Sequence, residues 1–297
     1  MSFGYLTFCL FVLFGVTNSD STLRQLHVLF RHGERSPTET YPNDPHKTFK
    51  WSGGWGHLTN RGKLQVFNLG RNLRNEYSNF MPEFYWFEEV NVTSSYADRC
   101  LMSAEVICAA LFPKGVQIWN SDLLWQPIPV GYLPRSQDIA FDRKNTGMKV
   151  DTLGTVETLY NTLEIESLHN LTLPSWVNDT LLKTMETLGA QNLALYSETD
   201  FMKRDEGSRL FPLGVLLKNI VTSMERISQG KKEPLLFLYS GHDLTIVHIL
   251  RALNLVNTIK PSFGAALIFE LYTDGEVKIT YRNSWDAVAE EKSLRLL

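Results

Sequence analysis

The sequence has little cysteine, no excess of either charge and no apolar run long enough to cross a bilayer. Three cysteines in 297 residues are too few for a disulfide scaffold, so stability has to come from a buried core. Lys and Arg number 29 against 32 Asp and Glu, a formal net charge of −3. A chain that grips a phosphate backbone needs a basic excess, so nucleic acid is not an expected partner. Apolar residues make up 43% and charged ones 21%, which leaves no room for a largely disordered protein. There is no internal repeat and no low-complexity segment.

What is present begins with residues 5–16 (YLTFCLFVLFGV), an apolar run of twelve. A spanning helix needs ~20 such residues, whereas the core of a secretory leader is this short. Thr17 and Ser19 are small enough for cleavage before Asp20, so residues 1–19 read as a signal peptide. No Lys or Arg precedes the run, which keeps a buried N-terminal strand or helix open as the alternative. Loss of the leader removes Cys9 and leaves Cys100 and Cys108, both in a helical-looking stretch, residues 99–112. Eight residues of helix separate them by ~12 Å, beyond the ~7 Å that a disulfide allows, so both are expected as packed thiols. Sequons at Asn91, Asn170 and Asn178 fit secretion. Asn91 falls in a strand candidate, so two glycans at most are expected. The charged end EEKSLRLL is not expected to act as a membrane anchor.

Short apolar strands alternate with helical periods. Strand candidates are residues 26–30, 90–94 and 235–239, and a hairpin of 265–272 with 277–282 turns through Thr273-Asp274-Gly275-Glu276. Val66, Leu69, Leu73 and Tyr77 recur at three- and four-residue spacing on one helix face, with Thr59 as a plausible N-cap. A further helix is expected from about Asp243 to Asn254. The pattern implies an α/β fold: a three-layer sandwich on a mostly parallel central sheet. Residues 134–230 are more polar, hold two sequons and show helical periods at 151–166, 178–196 and 214–227. They read as a smaller, mainly helical cap inserted into an α/β core made of residues 20–133 and 231–297.

Chemistry concentrates in Arg31-His32-Gly33-Glu34-Arg35-Ser36-Pro37, at the end of the first strand, where open α/β sheets place their ligand crevice. Guanidiniums on both sides disfavour an imidazolium and keep a lone pair on His32. The same guanidiniums match the oxygens of a phosphoryl group, and Gly33 lets the backbone turn beside the ring. Tyr239-Ser240-Gly241-His242-Asp243 and Ser95-Tyr96-Ala97-Asp98-Arg99 follow two other strands. In such a sheet all three loops open on one edge.

The sequence from Leu26 to about Asn283 resembles the histidine acid phosphatases, a family of lysosomal, prostatic, venom and phytase-type enzymes. Besides RHGERSP, the resemblance rests on GHLTNRG (56–62), DRCLMSAEV (98–106), SLHNLTLPSW (167–176) and YSGHDLTI (239–246). It implies that His32 attacks phosphorus and becomes a phosphohistidine, with Arg31, Arg35, Arg99 and His242 holding the phosphate oxygens. It further implies that Asp243 protonates the leaving alcohol and then helps to activate water. A small phosphomonoester or phosphoprotein is the expected substrate, and a homodimer is the family-level expectation. An acid optimum is expected because a carboxyl must carry a proton to an alkoxide. No cofactor is expected, and no metal, since converging arginines leave a divalent cation no favourable place. Compared with the family, residues 134–166 look several tens of residues short, and the cysteines that relatives pair are missing. Secreted or lysosomal location is the expectation from the leader, the sequons and the resemblance. Two other readings stand beside this one. The first is a non-enzymatic secreted glycoprotein on a decayed phosphatase scaffold. The second is a mutase-type relative, which Arg35, Pro37 and the His242-Asp243 pair disfavour.

Overall fold

The computed structural model describes residues 22–113, 115, 119–123, 125–132, 152–196, 213–255, 259–284 and 290–295. The expected signal peptide with Cys9, and residues 134–151 and 197–212 of the expected cap, lie outside these. β1 (Leu23–Arg31) is buried along almost its whole length, as befits a central strand. Its period of two sends Val28 and Phe30 into one core and Leu29 into another. The remaining strands are β2 (Val90–Ser94), β3 (Gly131–Tyr132), β4 (Leu236–Gly241), β5 (Ala266–Tyr272), β6 (Glu276–Arg282) and β7 (Glu290–Arg295), in the sheet order β3-β2-β4-β1-β5-β6-β7.

The expected sheet was mostly parallel; the observed one is mixed. β3-β2, β2-β4 and β4-β1 are parallel, whereas β1-β5, β5-β6 and β6-β7 are antiparallel. The reason is local: the Thr273–Gly275 turn closes β5 and β6 into a hairpin, and β7 continues it. Neither β3 nor β7 was foreseen. β7 reads Glu-Glu-Lys-Ser-Leu-Arg, a charged edge strand whose pairing comes from β6 and not from its own apolar pattern.

Among the described residues, helices cover both faces. α1 (Asn60–Glu76) starts at the expected cap, where Thr59 Oγ1 accepts from Gly62 N–H at 3.0 Å. It packs with α2 (Asp98–Leu111) on the Val28 and Phe30 face, through Val66, Leu69, Leu73, Ala104, Ile107 and Leu111. Cys100 and Cys108 are buried thiols of α2 and are not bridged to each other. α3 (Leu153–Leu168) and α4 (Asp179–Tyr196) share a separate small core with Tyr41. α5 (Leu213–Ser228) and α6 (Asp243–Ala252) cover the Leu29 face through Leu216, Ile220, Met224, Ile246 and Ile249. α5 lies in the stretch read as cap, yet its apolar face belongs to the sheet's own core.

Parallel register places the site. Arg31 lies opposite Gly241, and Ser94 opposite Ser240, so three strands end side by side and their following loops meet.

Between α3 and residues 40–46 lies a buried pair of carboxyls. Asp44 accepts from Thr40 Oγ1 and, at 2.6 Å, from His46 N–H. Burial first, then the charge of Asp44 and a hydrogen bond to it, push the Glu166 carboxyl from 4.5 up to about 8. A raised folded pKa contributes stability that is complete below ~4.5 and is lost as pH rises through 8. Glu166→Gln should therefore gain stability relative to the parent at pH 8 but not at pH 4.5, as read from urea midpoints; an equal difference at both pH values contradicts this.

Candidate active site

Two glycines make the first loop possible. A Cβ on Gly33 would lie 2.1 Å from the Gly62 carbonyl oxygen, and one on Gly62 would lie 2.0 Å from that of Glu34. Backbone meets backbone there, and no side chain larger than hydrogen fits. The start of α1 is thereby locked against the loop after β1, with Thr59 N–H donating to the Glu34 carbonyl at 3.0 Å. The Glu34 side chain is fully buried, accepts from Thr59 Oγ1 at 2.8 Å, and meets His169 Nε2 at 2.8 Å and Arg61 Nε at 3.3 Å.

His32 is held in one tautomer. Its Nδ1 lies 2.8 Å from the Gly33 carbonyl, which can only accept, so Nδ1 carries the hydrogen. Its Nε2 lies 3.2 Å from Arg99 Nε, which can only donate, so Nε2 keeps the lone pair. Its pKa is lowered well below 6.5, by burial first and then by Arg99, His242, Arg31 and Arg35. Neutrality was expected from the arginines; the structure makes burial the leading cause and the guanidiniums the second.

The other expected residues surround this ring. His242 meets it edge-on at 5.4 Å between centroids, and its Nε2 lies 3.0 Å from Ser95 Oγ. Burial, with Arg99 next, brings the His242 pKa down to about 3, so a neutral ring is available as a donor. Arg35 is buried, donates from Nη1 to the Ser36 carbonyl at 2.9 Å and is lowered to about 9, by burial first and then by Arg99 and Arg31; it stays cationic at neutral and acid pH. Arg31 pairs with Asp243, Nη2 to Oδ2 at 2.8 Å. Its Nη1 donates to the Pro261 carbonyl at 2.5 Å, and its guanidinium lies 4.0 Å over the Phe263 ring. Its buried Nε has no hydrogen-bond partner, a donor left over for a ligand. Burial pushes the Asp243 carboxyl up, but Arg31, His242 and the Leu244 N–H outweigh it and hold the group below its ordinary value. All six expected residues thus gather at one place, around the His32 ring and the Arg31–Asp243 pair. Among the described residues no cluster of His, Cys, Asp and Glu is arranged to hold a metal ion.

Several supporting residues escaped the sequence. Ser103 accepts from Gly33 N–H at 3.2 Å and donates to the Arg99 carbonyl at 2.7 Å, which ties the first loop to α2. Ser95 stands in a loop already noted, but its contact with His242 is long-range, as are those of Pro261 and Phe263 with Arg31. Ser103 and His169 stand inside motifs already noted, DRCLMSAEV and SLHNLTLPSW; those motifs were the available signal.

The sequence pattern of the histidine phosphatase superfamily (branch 2) matches residues 22–211. This chain belongs to that superfamily. It is 38% identical to bovine (Bos taurus) prostatic acid phosphatase, covering 88% of this chain and 77% of that protein. Lysosomal acid phosphatase of the same organism is 33% identical over 88% of this chain and 71% of its own length. Among solved structures, the apo form of Hafnia alvei phytase superposes with a TM-score of 0.64 at 16% identity, covering 95% of this chain and 92% of that one; this likeness speaks for the fold. Family and relatives make this histidine phosphatase a phosphomonoester-hydrolysing enzyme, and a non-enzymatic glycoprotein on a decayed scaffold finds no support.

The tautomer gives a direct check. Lowering the pH from 7 to 5 should leave His32 neutral with hydrogen on Nδ1, as followed by imidazole ¹⁵N shifts. Protonation with a midpoint near 6.5 contradicts the cage.

Proposed function

We propose that this histidine phosphatase hydrolyses phosphomonoesters at acid pH by way of a phosphohistidine on His32, without metal or cofactor. The observation that carries the proposal is the fixed Nε2 lone pair of His32, ringed by Arg31, Arg35, Arg99 and His242. An entering phosphoryl group takes over the Arg99 N–H that His32 accepts in the free enzyme. Arg31, Arg35, Arg99 and His242 then hold the three non-bridging oxygens, where charge spreads in the transition state. Nε2 forms the P–N bond as the ester P–O bond breaks, and the leaving oxygen takes a proton from Asp243. Water then attacks the phosphohistidine, gives its proton to Asp243 and releases inorganic phosphate.

The free enzyme holds Asp243 ionised, so its proton has to arrive with the substrate. A phosphomonoester has a second pKa of about 6; below it the monoanion carries a hydrogen that can pass to the carboxylate. The bound phosphate also takes up the charge of Arg31 and adds its own, and both raise the proton affinity of Asp243. An acid optimum follows from both effects.

Further proposals concern the molecule's surroundings. We place it in the secretory pathway, secreted or lysosomal, as its prostatic and lysosomal relatives suggest. Among the described residues no helix is long and apolar enough to cross a membrane. Residues 1–19 would serve as the leader. Asn91, Asn170 and Asn178 are all exposed as glycan acceptors require, although Asn91 lies within β2 and Asn178 accepts from Leu181 N–H at the start of α4. The division into an α/β core and a helical cap is proposed for α3 and α4, and a homodimer from family likeness.

The test uses purified protein with a chromogenic aryl phosphate and an alkyl phosphate at pH 5. His32→Ala should reduce both to background. Asp243→Asn should slow the alkyl ester by roughly 10²–10⁴-fold and the aryl ester much less, because a good leaving group needs little proton assistance. Equal rates for His32→Ala and the parent refute the proposal, and a uniform loss across both esters in Asp243→Asn removes the acid role.

A further inference from the structure

Arg31 is seated by a strap, residues 259–263, through the Pro261 carbonyl at 2.5 Å and the Phe263 ring at 4.0 Å. The strap has no regular structure of its own. Lys260, next to Pro261, ties it to α3. The Lys260 ammonium lies 3.2 Å from Glu164 Oε2 and 3.7 Å above the Tyr160 ring. Tyr160 in turn donates its hydroxyl to Glu164 Oε1 at 3.1 Å. The two α3 residues stand one helical turn apart on a single face. The Lys260 side chain is only 5% exposed, so its burial carries a real desolvation cost that these contacts offset.

We infer that Lys260 is a positioning residue: held by Tyr160 and Glu164, it fixes the strap that seats the Arg31–Asp243 pair, and so makes α3 part of the working site. The inference rests on Asp243 being the proton donor. The titratable and charged groups around the pair come from several neighbouring elements. α3 contributes Glu157, Tyr160 and Glu164, β1 contributes Arg31, and Arg35, Arg99 and His242 stand across the crevice. Lys260 interacts with Arg31 and Asp243 as well as Glu164, and Glu157 interacts with Asp243, Lys260 and Arg31. Loss of the Lys260 charge raises the proton affinity of Asp243. Loss of the Glu164 charge leaves Lys260 uncompensated and lowers it.

The experiment is the pH dependence of kcat for an alkyl phosphate in the parent, Lys260→Met, Lys260→Arg and Glu164→Gln. The alkaline limb reports loss of the proton shared by Asp243 and the bound phosphate. Lys260→Met should move it upward and Glu164→Gln downward, each by about half a pH unit. Lys260→Met should also lower kcat roughly ten- to a hundredfold through misplacement of the pair, and Lys260→Arg should restore most of it. Limbs that stay in place, or that move the same way in both variants, overturn the inference, and so does an arginine variant no better than methionine. Should Lys260→Met fail to fold, the direction of the Glu164→Gln limb decides alone. A parent without hydrolysis at any pH would instead refute the proposed function, which keeps the two failures apart.

Discussion

An imidazole sealed from water among guanidiniums can hardly hold a proton, and that constraint organises the whole site. Burial is the largest single cause, and Arg99, His242, Arg31 and Arg35 add to it. The cost of gathering so many cations is met by backbone carbonyls, by the Arg31–Asp243 pair and by the stacking of Arg31 on Phe263. Each of these compensations leaves guanidinium donors free to turn toward an anion. A site of this kind is electrostatically incomplete until a phosphate enters, which is why it should bind phosphate and also stabilise a phosphoryl transition state.

The sheet supplies the precision. Parallel pairing of β1 with β4 and of β4 with β2 brings three strand ends to one edge. Mutual contact of Gly33 and Gly62 locks the start of α1 onto the loop that carries His32. Glu34, buried beneath this loop, gathers Thr59, His169 and Arg61, so the C-terminal end of α3 is tied to the same loop. Lys260 makes a second tie further along α3. The helical layer is therefore coupled to the crevice at two places rather than merely covering it.

Much of this was legible in the sequence because strand ends and helix caps are local signals. Residues 90–94 were read with the bounds that β2 shows, and Thr59 caps α1 as read. His32 and its neighbours stood out because positive charges on either side of a histidine serve no obvious packing purpose. What escaped depends on distance along the chain. Pro261 and Phe263 reach Arg31 across more than 200 residues, and no periodicity announces such a contact. The ranking of burial over charge in keeping His32 neutral also needed coordinates, since composition does not tell how deeply a loop is covered. The antiparallel half of the sheet was under-read because β7 is polar and takes its register from β6.

The most direct test of the central claim is to quench the enzyme with an alkaline denaturant during turnover of a labelled phosphomonoester and ask where the phosphorus sits. Label should appear on His32, bound through Nε2 and stable to alkali, and should be absent from the His32→Ala protein. Turnover with no labelled protein at any time, or with label on another side chain, would contradict an uncharged His32 as the group that accepts the phosphoryl.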